Sequence, residues 1–402
     1  MKICIAGKND IAVNALTYIS QNYPQFEIWV ICNRSDNGKN SWQKSLKNTA
    51  LKHNIPIKEL EDIYEIPDLL FLSLEYDKII NPSLFSSSRL YNIHFSLLPA
   101  YKGMYTSIMP ILNNEKISGV TLHKIDAGID TGDVLDQISF TISESDNGRN
   151  LYDKYLLNAF LLFQKNIDSL LLGEIKAGPQ SSKGASYYSK KTIDFKNIII
   201  DTKKTAEEIF NQIRAFAFRD YQLPQIGNYK IWRSEISSIP SQKHQVGKYE
   251  QKEAHYIEIH AIDYIVYAYI DFEEELFDAA ANGDIEYIKW LQSINYDIHI
   301  QNEHGWDILI VSTYNNQQEL VKYLLDINFD IAKTNYKGTS VLMYAMTIAS
   351  KLDELSMLNL ILSYMPNLYH VDDLGLSVFD YAMKYGNEQV INRIKKEYDK
   401  VS

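Results

Sequence analysis

The run Lys2-Ile-Cys-Ile-Ala6 decides the fold class; it is closed by the turn Gly7-Lys8-Asn9-Asp10 and followed by the helically spaced Ile11–Ser20. The run is continuously apolar rather than alternating, which is the pattern of a strand buried on both faces. Three further β-rich runs follow: Phe26–Cys32, Asp68–Leu74 and Tyr91–Phe95. Strands separated by helical stretches predict an α/β domain over residues 1–200, with a mostly parallel sheet and helices on both faces. The fold is therefore expected to be Rossmann-like. The first turn lacks the Gly-x-Gly-x-x-Gly spacing that lets a backbone approach a pyrophosphate, so nothing supports NAD or FAD.

The character changes after residue 200. Ala206–Phe216 has helical spacing, and Pro224, Gly227, Pro240 and Gly247 then cut the chain into short pieces. Tyr256–Ile265 alternates apolar and polar residues, as a half-buried strand does. A small β-rich domain over 201–270 is expected. From 271 to 402 the chain repeats itself: Ile294-Asn-Tyr-Asp-Ile298 returns 33 residues later as Ile327-Asn-Phe-Asp-Ile331. Gly305, Gly338 and Gly375 are spaced 33 and 37 apart. Gly338-Thr-Ser-Val-Leu-Met-Tyr-Ala345 and Gly375-Leu-Ser-Val-Phe-Asp-Tyr-Ala382 resemble the ankyrin turn-and-helix opening. They depart from it in Val where Pro is usual, and in Met343 and Asp380 where His is usual. The resemblance implies an all-α array of about four repeats over 272–399, whose Leu, Ile and Ala positions form a stacking core. The four extra residues of the third repeat place a longer helix or loop near Ser350–Leu358.

Charge follows the same division. The net charge is −11; residues 1–200 carry 21 basic and 21 acidic side chains, 201–270 carry 9 and 9, and 271–402 carry 10 and 21. An end that acidic disfavours nucleic acid, because phosphate binding needs clustered Lys and Arg. No apolar run reaches the ~18 residues that span a bilayer, so no membrane association is expected. The opening residues lack a signal peptide's apolar stretch and cleavage site. Cys4 and Cys32 lie in strand-like runs and are expected to be small core residues in a reducing, cytoplasmic setting. Cys and His show no metal-ligand spacing, and no metal is expected.

Residues able to do chemistry concentrate between Tyr91 and Gln137. Asn92-Ile-His94-Phe-Ser96-Leu-Leu-Pro99-Ala-Tyr-Lys-Gly103 comes first, then Gly119-Val-Thr-Leu-His-Lys-Ile-Asp126-Ala-Gly128-Ile-Asp130-Thr-Gly132. Asn92 and His94 lie two apart near a strand end, so their side chains project to one side. An imidazole titrates near ~6.5 and shuttles protons at neutral pH. A carboxylate such as Asp130 can orient it and favour its charged form. His123 is expected to be half-exposed on a strand, and Glu75 and Asp77 to be loop charges.

These motifs resemble the folate-dependent formyltransferases, which act on glycinamide ribonucleotide, methionyl-tRNA or nucleotide sugars. That family shows Asn-x-His-x-Ser-Leu-Leu-Pro, then an Asp-Thr-Gly-like turn, with its catalytic Asp 36 residues after the His; Asp130 follows His94 by 36. The resemblance covers about 1–200, and more loosely 201–235. It implies a formyltransferase catalytic domain, with N10-formyltetrahydrofolate as cosubstrate, His94 as base, Asn92 stabilising the oxyanion and Asp130 orienting. Transfer to an amine develops an oxyanion and releases a proton, and these three residue types meet those needs. The resemblance also implies folate contacts at Lys78, Ile79, Ile80, Ser96, Lys124, Asp126, Ala127 and Gly128.

Two acceptors compete. A methionyl-tRNA enzyme needs a basic C-terminal domain, and here that end is acidic. A nucleotide-linked amino sugar fits better, with Gly103, Met104, Tyr105, Lys190, Arg214, Phe216 and Tyr221 as expected contacts. Phe218 and Tyr229 offer further ring faces, and Lys191 and Arg219 further cations for a pyrophosphate. Ile213-Arg214-Ala-Phe-Ala-Phe218 resembles the Ile-Arg-Ala-x-x-Phe stretch of sugar N-formyltransferases, part of which the tRNA enzymes share. An attached ankyrin array resembles the dTDP-3-amino-3,6-dideoxyglucose enzymes more than the 4-amino type, although no residue separates the two sugars. The implied setting is bacterial surface polysaccharide (lipopolysaccharide O-antigen) synthesis by a homodimer. The array is expected to be a binding module for a protein or small ligand, with Trp290, Trp306, Tyr314, Tyr336 and Tyr344 as surface aromatics and Lys322, Lys333 and Lys337 as local cations. The opposing hypothesis is an interaction scaffold with a degenerate catalytic fold.

Overall fold

The computed structural model describes residues 1–400. The chain divides into two compact units: the first holds residues 1–39 and 43–271, the second Asn40–Trp42 and the residues from Phe272 onward. In the first unit the order is β1 (Lys2–Gly7), α1 (Asn9–Asn22), β2 (Glu27–Cys32), α2 (Leu46–Lys52), β3 (Leu69–Leu74), β4 (Leu90–His94), β5 (Lys102–Gly103), α3 (Met109–Leu112), β6 (Ile117–Lys124), β7 (Val134–Thr141), α4 (Gly148–Leu172), β8 (Tyr187–Tyr188), α5 (Ala206–Phe216), β9 (Gln225–Ile226), β10 (Tyr229–Pro240), β11 (Tyr249–Glu253), β12 (Tyr256–His260) and β13 (Tyr264–Ile270). The main sheet runs β2-β1-β3-β4-β6-β7. Its first four strands are parallel, and β6 and β7 are antiparallel. The expected buried strand is borne out: Ile3, Cys4, Ile5 and Ala6 are all fully buried.

The segment 201–270 falls within this first unit. Its helix α5 lies against α3 and α4. The approach is close enough that a Cβ at Gly148 would sit 2.6 Å from the Ala215 carbonyl oxygen. The run Tyr256–Ile265 is not one strand. It turns at Ala261–Asp263 into the hairpin β12–β13, within a five-stranded sheet ordered β11-β12-β13-β10-β9. Alternation is the same on both arms of a hairpin, which is why the break is invisible to a periodicity argument.

The second unit is all helix: α6 (Glu273–Asn282), α7 (Ile285–Ser293), α8 (Ile308–Tyr314), α9 (Gln318–Asp326), α10 (Val341–Leu352), α11 (Ser356–Ser363), α12 (Val378–Tyr385) and α13 (Glu388–Tyr398), which form four pairs. Each turn glycine of the repeat sits in the left-handed region, with φ of +76° at Gly305 and Gly338 and +74° at Gly375. The third repeat's extra residues lengthen α10 to 12 residues. No helix among the described residues is long and apolar enough to cross a membrane.

Candidate active site

The site assembles along the paired strands β4 and β6. Their antiparallel register sets Asn92 opposite His123 and His94 opposite Thr121. A bulge between Leu122 and His123 in the β6–β7 pairing bends the strand at this point. Asp130 arrives from the turn beyond β6, in the left-handed region at φ +54°. Gln180 holds that turn by donating to the Asp130 and Gly132 carbonyls at 2.9 and 2.8 Å. Gly132 must lack a side chain, because a Cβ there would lie 2.0 Å from the Lys124 carbonyl oxygen.

Asn92, His94 and Asp130 converge. Asp130 Oδ2 accepts from the Gly103 N–H at 2.9 Å and lies 3.5 Å from His94 Nδ1. Asp130 Oδ1 lies 3.4 Å from Asn92 Nδ2 and 3.5 Å from His123 Nε2. Burial pushes the Asp130 carboxyl up, but His94, His123 and the Gly103 N–H together outweigh it and hold the group at about 2. It is therefore a carboxylate at neutral pH. Burial pulls His94 below the ordinary imidazole value, against the opposing pull of Asp130 and the Tyr101 carbonyl. His94 Nε2 is 2.8 Å from that carbonyl, which only accepts, so Nε2 carries the proton. The lone pair is then on Nδ1, facing Asp130, an anion that would stabilise the ring if it took up a proton.

His123 corrects the expectation of a half-exposed strand residue. It is 2% exposed, its Nδ1 lies 2.8 Å from the Lys124 carbonyl and its Nε2 lies 3.0 Å from Asn92 Nδ2. The carbonyl fixes the proton on Nδ1, so Nε2 accepts from the Asn92 amide and sets its orientation. Glu75 does lie in the loop after β3, but it is tied down rather than solvated. It follows β3 directly, at φ +57°, and its carboxylate accepts from Asn9 Nδ2 at 3.2 Å and Tyr152 Oη at 2.8 Å. Burial raises its pKa.

The other expected contacts divide. Ser96 is fully buried and donates to the Ala100 carbonyl at 2.7 Å, so it shapes the loop and is not open to a folate. Ile80 is buried in the core beside Phe71 and Leu90, whereas Ile79 is exposed. Lys78 is half-buried. Lys124, Ala127 and Gly128 are exposed at the turn, where Asp126 Oδ1 accepts from the Gly128 N–H and the Thr131 hydroxyl. Arg214 is a second correction: it is buried, and its guanidinium donates to Asn211 Oδ1 and to the Ser143 and Asp146 carbonyls, which removes it from a pyrophosphate role. Arg219 is paired with the Asp271 carboxylate at 2.6 Å. Phe216 is core. Gly103 and Met104 lie on the loop whose Gly103 N–H meets Asp130, and the Tyr105 hydroxyl donates to the Lys190 carbonyl at 2.8 Å. Tyr221 is exposed and packs on Phe218, with ring centroids 4.8 Å apart.

Known proteins give these features a context. Residues 40–160 match the formyl transferase family model, and residues 276–347 match a model of ankyrin repeats in three copies. The crystal structure of WlaRD, described as a sugar 3N-formyltransferase in the presence of dTDP and 5-N-formyl-THF, is 48% identical, at a TM-score of 0.62, over 67% of this chain and 97% of its own. An N-formyltransferase from Helicobacter canadensis, solved with folinic acid and dTDP-3-aminofucose, is 44% identical, at a TM-score of 0.63, over 67% of this chain and all of its own. The bifunctional polymyxin resistance protein ArnA of Wigglesworthia glossinidia brevipalpis is 32% identical over 48% of this chain, a match that spans 31% of that longer protein. The methionyl-tRNA formyltransferase of Fervidobacterium nodosum is 29% identical over 54% of this chain and 71% of its own.

Proposed function

We propose a reaction from one premise: this chain belongs to the N-formyltransferases. It moves the formyl group of N10-formyltetrahydrofolate to the amine of a dTDP-linked 3-amino-3,6-dideoxy sugar. The observation that carries this reading is the convergence of a neutral His94, an ionised Asp130 and the Asn92 amide at the end of β4. The 48% and 44% identities to two enzymes solved with dTDP or dTDP-3-aminofucose support the acceptor. The tRNA relatives stand at 29%, and the acidic balance of residues 271–402 opposes a phosphate-rich partner.

The folate supplies the one-carbon unit; the exposed Ile79 side chain and the backbone of Lys124–Ile129 suit its flat ring. The protein's own groups do the rest. One Asn92 N–H is held by His123 Nε2 at 3.0 Å; the other, which meets Asp130 Oδ1 only at 3.4 Å, turns to the developing oxyanion. His94 Nδ1 takes the proton that the attacking amine releases, Asp130 faces the imidazolium so formed, and the imidazolium returns the proton to the folate N10 as its bond to the formyl carbon breaks and tetrahydrofolate leaves. The Tyr101 carbonyl keeps the ring from rotating. Lys190 and Lys191 remain for the pyrophosphate, and the exposed ring of Tyr221, which packs on the buried Phe218, for the base or sugar. The repeats form a separate binding module and contribute no catalytic group. A panel of acceptors tests the reading: dTDP-3-amino sugar, dTDP-4-amino sugar and initiator methionyl-tRNA, each with formyl-tetrahydrofolate. The 3-amino sugar should give the highest kcat/KM. A preference for the tRNA, with a steep salt dependence, overturns the acceptor assignment.

A further inference from the structure

The hairpin of β11 and β12 carries a group that formyl transfer does not use. Glu250 and Glu258 are direct cross-strand partners. Glu258 and His260 lie two apart on β12, so all three side chains stand on one face. One carboxylate oxygen from each Glu and one ring nitrogen of His260 lie within 4.8 Å of one another. Glu250 is ten residues from His260 in sequence, and only the pairing of the strands joins them.

Two observations distinguish this group from an ordinary acidic surface. His260 is 8% exposed, and its Nδ1 is buried without a hydrogen-bond partner. A buried polar nitrogen left unpaired costs stability. Two like charges directly opposite on an antiparallel ladder also cost stability. Lys252, two residues from Glu250 on the same strand, forms an ion pair with Glu250 and offsets part of that charge.

We propose that Glu250, Glu258 and His260 bind a divalent cation of the zinc class, with an imidazole and two carboxylates as ligands and water completing the sphere. An imidazole with carboxylates suits Zn²⁺ and Co²⁺. Tetrahedral bonds of about 2.1 Å set neighbouring donors roughly 3.4 Å apart, so the cluster must close by at most about 1.4 Å. Glu250 is exposed and Glu258 half-buried, so both can move while the buried His260 stays in place. The ion would replace Lys252 as the counter-charge and pin the edge strand β11 to β12.

The test uses the full chain after treatment with a chelator. Titration calorimetry with Zn²⁺ and visible absorption with Co²⁺ should both report a single ion per chain. Glu258→Gln and His260→Gln should each weaken binding by about tenfold or more, with formyl transfer unchanged. Zn²⁺ should raise Tm in the wild type and not in Glu258→Gln. Because His260 is buried, Glu250→Gln guards against a folding artefact: its exposed side chain can change without loss of the fold, and it too should lose affinity. No saturable binding, or the same affinity in all three variants as in the wild type, overturns the site.

Discussion

Asp130 in the first unit and Asp307 in the second are the same residue type, both well buried, and they behave in opposite ways. Burial pushes both carboxyls up. Around Asp130, His94, His123 and the Gly103 N–H reverse that push and bring the group to about 2. Around Asp307, burial prevails over the Ile310 N–H and the group stays raised. Asp307 is the N-cap of α8, accepting from the Ile310 N–H at 2.9 Å. The partners, not the burial, decide which way a buried carboxyl titrates. Their linkage to pH is opposite as well. Asp130, depressed below the ordinary 3.8, contributes stability above that pH and loses it as pH falls toward about 2. Asp307, raised above 3.8, contributes below that pH and loses its contribution as pH rises through its folded value.

Substitutions can break or sharpen this contrast. Asp130→Asn should show the largest effect, a fall in kcat of about 10²–10⁴ with the fold intact by circular dichroism. The same variant should move the acid limb of the kcat/KM profile to lower pH, because His94 loses the anion that favours its protonated form. In the wild type that limb should already lie below 6.5, since burial depresses His94. His123→Ala should cost about 10² in kcat through a misplaced Asn92 amide, and steady-state kinetics with both substrates will measure it. Ending the chain after Asp271 should leave turnover of the same order as the full chain, since the first unit is compact by itself. A loss as complete as that of a His94 variant would give the repeats a catalytic group. Asp307→Ala should cost about 1 kcal/mol of stability in chemical denaturation and leave turnover unchanged.

Much of this could be read in the sequence, for physical reasons. Fully buried strands are continuous apolar runs, so Lys2–Ala6 and Asp68–Leu74 stood out within a residue of β1 and β3. The 33-residue period marked the repeats because each turn needs a left-handed glycine. Asp130 was found by its distance from His94, which a motif preserves. His123 was not, because its place depends on the register between β4 and β6, and one strand's sequence does not state what lies opposite. The pairing Thr121-x-His123 against Asn92-x-His94, both with period two, was the available signal. Ser96 and Arg214 were misread for a related reason: a polar residue in a motif does not reveal whether its partner is a ligand or a nearby carbonyl.

The central claim is that His94 accepts the amine's proton as a formyl group passes from folate to a dTDP-3-amino sugar. The direct measurement follows ¹³C-labelled formyl-tetrahydrofolate by NMR in the presence of that sugar, with wild type and with folded His94→Asn. The account predicts that the label appears as a sugar formamide with wild type, and about 10²–10⁴ more slowly with the variant. Equal rates in the two, or label that never reaches the sugar with wild type, would contradict it.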